Sequence, residues 1–170
     1  MTNPIDNISL PMPAVVEWSP NIILVDGDYI DRVAFDLIVN FERMIGRRIP
    51  PADLARWLDC IALDGGLRPG DNHLQAVFIH RPENPKLQHF APAHYKDELD
   101  GKAFSDNLGE FTLHSVQAEG PITAEDLYAE SLEMLLTSAQ VERIMVVADM
   151  DSQFDRLRRI VEKAEGQHEV

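Results

Sequence analysis

The chain has 170 residues, enough for one domain with a sizeable core, and its 45% hydrophobic and 26% charged content is ordinary for a globular protein. Its 29 acidic against 15 basic residues leave a formal net charge of −14, which weighs against loose nucleic-acid binding but leaves room for a local basic patch or a metal-filled site. No run approaches the ~18 apolar residues of a membrane span, and the first twenty residues lack the basic start and apolar core of a signal peptide. A lone cysteine, Cys60, cannot form an intrachain disulfide, so the expected setting is a reducing cytoplasm.

Residues 1–20 read as an extended N-terminal arm broken by Pro4, Pro11, Pro13 and Pro20. Leu10, Val15, Val16 and Trp18 are expected to pack part of it on the domain or on a partner subunit, which makes the arm a candidate protein-partner or homo-oligomer contact. The domain proper is residues 21–170. It opens on Asn21-Ile-Ile-Leu-Val-Asp26, a continuous apolar run of the kind found in strands buried on both faces. From Ile30 to Ile45 apolar residues recur at i, i+3, i+4, i+7, which predicts an amphipathic helix closed by Gly46. Pro50-Pro51 opens a second helix with Leu54, Trp57, Leu58 and Ile61 inward, and Cys60 beside that face is expected to be a buried, inert thiol. Leu74–His80 is the next strand. An irregular insertion follows at about 82–108, with a short helix expected within Tyr95–Leu108, placed to form a lid or wall over a site. Glu110–Gln117 alternates as a strand, Thr123-x-x-Asp126 signals a helix start, and Arg143–Ala148 is a last apolar strand before a final helix. Strands alternating with helices predict a three-layer α/β/α sandwich on a mainly parallel sheet. The strands beginning at Asn21 and Arg143 are expected to be adjacent and parallel.

Each of those two strands ends in Asp-x-Asp: Asp26-Gly27-Asp28 and Asp149-Met150-Asp151. In open α/β sheets ligands bind outside the carboxyl ends of the strands, so these carboxylates are the candidate site. Hard oxygen donors of this kind suit Mg²⁺ or Mn²⁺, with Asp26, Asp28, Asp149 and Asp151 as candidate ligands. An ion held there could activate water against a phosphodiester. Plainer roles compete. Asp28 and Asp151 stand where helix N-caps belong, Asp126 completes a capping signal, and Glu130 suits a solvated helix face. His80, His89, His94 and His114 match no standard ligand spacing.

The whole from about Asn21 to Gly166 resembles the PIN-like nucleases, in particular their NYN branch. Asp26-Gly27-Asp28-Tyr29 is similar to that branch's Asp-Gly-x-Asn, and Asp149-Met150-Asp151-Ser152-Gln153-Phe154 to its Ser-Gly-Asp-Ser-Asp-Phe. The resemblance implies a Mg- or Mn-dependent ribonuclease with Asp26, Asp151 and a helix-borne acid, Glu130 or else Asp126, as catalytic residues, and RNA as the substrate. Tyr29 and Gln153 depart from the pattern. A second resemblance is to haloacid-dehalogenase-like phosphatases, whose Asp-x-Asp motif implies Asp26 as nucleophile and Asp28 as general acid. The third reading is a non-catalytic α/β scaffold that binds a partner, in keeping with the two departures and the −14 charge.

Overall fold

The structure, a computed structural model, describes residues 17–164. The expected arm therefore lies outside the described residues up to residue 16, as does the expected end of the last helix at Gly166.

Strand β1 (Asn21–Asp26) is an interior strand of a five-stranded sheet that also contains β3 (Asn72–His80), β5 (Ala103–Asp106), β6 (Gly109–Gln117) and β7 (Arg143–Val147), in the order β5-β6-β3-β1-β7. β1 runs parallel to β3 and to β7, β3 runs parallel to β6, and only β5 is antiparallel. Asn21 pairs with Arg143 and Val25 with Val147, so the two Asp-x-Asp strands lie side by side in register. The chain builds outward from β1 through β3 to β6, then crosses back to place β7 on β1's other side. The order reverses between β1 and β7, and the crevice at such a point is where α/β sheets bind ligands.

Alternate residues of β1 feed two separate cores. Ile23 and Val25 pack beneath α1 (Gly27–Ile45), α2 (Leu54–Asp64) and the insertion, with Leu58, Phe78, Tyr95 and Phe111. Ile22 and Leu24 pack beneath α3 (Ala124–Leu136) and α4 (Met150–Lys163), with Tyr128, Leu132, Ile144 and Leu157. All four β1 residues are fully buried. Helices on both faces of a mainly parallel sheet make the expected three-layer sandwich.

Two helices start earlier than expected. The caps are Asp26, which accepts the Tyr29 N–H, and Asp149, which accepts that of Asp151; Asp28 and Asp151 fall in the first turns. The Thr123 cap of α3 is as expected, accepting from Asp126 N. The apolar periodicity of α1 is only half used. Gly27, Ile30 and Ala34 are buried, whereas Leu37, Phe41, Met44 and Ile45 are exposed. Nineteen helical residues span about 28 Å, the six of β1 about 20 Å, so the last turns of α1 outrun the sheet. Cys60 is exposed, contrary to expectation.

The insertion is ordered by short pieces. β4 (Phe90–Ala91) pairs with β2 (Ala52–Asp53), a five-residue π-helical turn spans Tyr95–Leu99, and β5 follows. Asp31 of α1 fastens it by accepting the backbone N–H groups of Gln88 and His89 at 2.9–3.0 Å. It walls one side of the strand-end crevice, where Asn84 stands. Among the described residues no helix is long and apolar enough to cross a membrane.

Candidate functional site

At the carboxyl ends of β1, β3 and β7 lies a cleft of about 260 Å³ lined by Asp26, Asp28, Glu125 and Asp149, by Arg32 and Arg81, and by Tyr29, Asn84, Ser152 and Gln153. Asp26 is both the last residue of β1 and the cap of α1. Its Oδ1 accepts the Tyr29 N–H at 3.1 Å. Burial pushes its carboxyl up from the ordinary value, and the negative charges of Asp28 and Glu125 push the same way. Gly27 lets this turn close, because the Tyr95 hydroxyl occupies the space a Cβ would need. Tyr95 is held in turn by stacking on the buried His80 ring, 3.9 Å between centroids.

Asp28 faces the end of β3, where it accepts Arg81 N at 3.0 Å and Asn84 Nδ2 at 2.8 Å. Glu125, at the start of α3, pairs with Arg81 at 2.7 Å. Its carboxyl is held below the ordinary value by its own backbone N–H and by that guanidinium. Asp149 pairs with Arg32 at 3.0 Å, and the Arg32 guanidinium lies 5.6 Å from the Tyr29 ring centroid. Behind the cleft the buried Tyr128 hydroxyl donates to Leu24 O at 2.7 Å and accepts from Val147 N at 3.1 Å. It stitches β1 to β7 directly below the acids, and burial raises its phenol far above the ordinary value.

The candidate residues separate. Asp26, Asp28 and Asp149 come together. Glu130 is instead exposed in a groove between α3 and α4, with Glu133, Arg156 and Arg159. Asp126 also turns to α4, pairing with Arg156 at 2.7 Å. Asp151 is exposed on the first turn of α4 and is not part of the cleft lining. Glu125 takes the place expected of Glu130, and Asp149 that expected of Asp151. A signal for Glu125 was present: it precedes Tyr128, Ala129 and Leu132 by three, four and seven residues, on the stripe that α3 buries. Arg32, Arg81, Asn84 and Tyr128 had no such signal.

The oxygen donors suit a hard divalent cation, and such a cation would offset both the burial and the neighbouring Asp28 and Glu125 charges that lift the Asp26 carboxyl. In the arrangement described, Arg32 and Arg81 draw Asp149 and Glu125 aside, and no three His, Cys, Asp or Glu side chains among the described residues are grouped to hold one ion. Both ion pairs are substantially exposed, and such pairs contribute only about 0–1 kcal/mol each. Releasing either acid is therefore cheap.

The chain belongs to the family described as "Family of unknown function (DUF6621)", which matches it over residues 15–170. No curated protein and no solved structure matches it.

Proposed function

We propose that the chain is a PIN/NYN-like domain that cleaves RNA phosphodiesters with Mg²⁺ or Mn²⁺. The observation that carries this reading is the meeting of Asp26, Asp28, Glu125 and Asp149 where the strand order reverses. Asp26 and Asp28, with Glu125 or Asp149, would hold the ion, which would supply an activated water and neutralise charge on the phosphate. The chain's own cations then have a task. Arg32 and Arg81, on opposite sides of the cleft, can exchange a carboxylate for phosphate oxygens, which guanidinium groups bind in the same forked geometry. The −14 net charge calls for such a local pair, because the rest of the surface repels RNA.

The test is single-stranded RNA with Mn²⁺ or Mg²⁺. Cleavage is expected to fall at least a hundredfold in Asp26→Asn and in Glu125→Gln, and to be unchanged in Glu130→Gln. Equal activity in all three variants overturns the assignment of the site.

One observation favours a second reading, the non-catalytic scaffold. Arg32 and Arg81 already neutralise two of the four acids, and Gln153 puts an amide in the cleft where the resembled motif has a carboxylate. On that reading the unmodified protein neither cuts RNA nor gains stability from Mn²⁺, whereas the Arg32→Ala/Arg81→Ala double variant does gain it.

A further inference from the structure

Beside its buried face α1 carries a second apolar stripe, which is exposed. Val33, Leu37, Phe41 and Met44 follow one another at four, four and three residues, which sets them along one side of the helix. Leu37 is 53%, Phe41 51% and Met44 78% exposed. Most helical stability comes from packing an apolar face, and turns without it are marginal in water. The carboxyl half of α1 is nonetheless helical as far as Ile45, with Gly46 closing it in the left-handed conformation. A contiguous exposed apolar stripe of this kind marks an interaction surface.

The described ends of the chain lie elsewhere. Ile30 and Ala34 place α1 on one face of the sheet, whereas Trp18 and Ala164 pack into the core on the other, beneath α3 and α4. Ser19 N donates to Gln75 Oε1 at 2.8 Å, and Gln75 shares the strand face of Val77 and Ile79, which belong to that second core. The occupant of the stripe is therefore sought in another molecule, and the charges beside the stripe specify it.

Asp36, Arg43 and Arg47 are spaced at about two and three helical turns, so they share one flank of the stripe. All three are exposed, and none makes an ion pair among the described residues. An acid toward the amino end and bases toward the carboxyl end make this flank complementary to its own antiparallel copy. With a twofold axis between Asn40 and Phe41, each Leu37 falls level with Met44 of the other copy. Each Asp36 then lies about 3 Å along the axis from both Arg43 and Arg47 of the other copy, on the same flank. Parallel pairing would set like charges against each other. Residues 37–48 also carry three arginines against Glu42 alone, so the −14 charge of the whole chain is not repeated where the copies would meet. We propose that α1 pairs antiparallel with α1 of a second copy, through this apolar stripe and the Asp36 to Arg43 and Arg47 ion pairs that flank it. The stripe from Val33 to Arg48 is only about 22 Å long, so the interface is of the small class, below about 1,200 Å² in total, and the dimer is reversible.

The test is sedimentation equilibrium of the full chain between about 5 and 500 μM, the range in which a weak dimer forms. The mass is expected to rise from one chain toward two; one chain throughout overturns the proposal. Met44→Glu is expected to abolish the rise while leaving the far-UV circular dichroism unchanged, and Phe35→Ser, on another side of α1, to keep it. Association that survives Met44→Glu, or falls equally in Phe35→Ser, lies on a different surface and overturns it. Asp36→Arg lowers the net charge, which by itself favours association, yet is expected to weaken the dimer about tenfold or more by facing Arg43 and Arg47. Arg43→Asp with Arg47→Asp is expected to weaken it likewise, and all three changes together to restore it. Failure of the triple variant to recover overturns the antiparallel pairing.

Discussion

At Gly27 the Tyr95 hydroxyl stands where a Cβ would be, with the Ile79 carbonyl also close by. The glycine between the two aspartates is needed because the insertion packs against the strand-to-helix turn that carries the acids. Gly27→Ala is expected to lower stability by about 1–3 kcal/mol, the usual cost of overpacking. Urea denaturation measures it. In a Tyr95→Phe background the same change should cost distinctly less, since the offending oxygen is gone; an unchanged cost would place the strain elsewhere. The side chains that matter at this site were only partly legible in the sequence, and the reason is angular. Asp26, Asp28 and Asp149 follow from where apolar strands stop. Glu125 and Glu130 are both acids on α3, and only the stripe running through Tyr128, Ala129 and Leu132 separates the one aimed at the cleft from the one aimed at solvent. A difference of direction likewise separates Asp149, which caps α4 and lines the cleft, from Asp151, two residues on, which does not line it.

Elements were more legible than their limits. Parallel strands buried on both faces announce themselves as unbroken apolar runs, so β1 and β7 could be recognised and their adjacency anticipated. Periodicity identified the apolar stripe of α1 but could not say where the sheet beneath it stops. The contact between α2 and β5 was not readable at all, because it rests on two distant acids. Asp59 of α2 has an enclosed Oδ1 without a donor, and burial, followed by its hydrogen bond to Asp106 of β5 and that residue's charge, pushes its carboxyl up to about 6. Its folded value thus exceeds its unfolded one. Between about pH 4 and 6 the folded state holds more protons, so stability falls as pH rises through that window and the full penalty is present above it. Asp59→Asn, which can donate to Asp106, is expected to raise the urea midpoint at pH 7.5 and flatten its decline between pH 4.5 and 6.5. A variant with the unmodified protein's pH profile would show that the two elements do not meet through a shared proton.

For the molecule as a whole, 29 acids against 15 bases mean self-repulsion, and any salt relieves some of it. A divalent ion would therefore stabilise this protein even without a site, and the measurement must separate screening from binding. Melting temperature in Mg²⁺ or Mn²⁺ should be compared with NaCl at matched ionic strength, for the unmodified chain and for Asp26→Asn. An ion at tenfold its dissociation constant stabilises the folded state by about 1.4 kcal/mol. In a domain of this size that is about 3–6 °C, at roughly 2–4 °C per kcal/mol. The expected result is an excess of that order over NaCl in the unmodified protein and none in Asp26→Asn. Glu130→Gln removes the same single charge at a distance from the cleft and should keep the excess. If the excess survives in Asp26→Asn, the ion is felt as diffuse charge rather than held at the strand ends. If none appears in the unmodified protein but one emerges once Arg32 and Arg81 are replaced by alanine, those guanidinium groups are the site's permanent cations, and the scaffold reading holds.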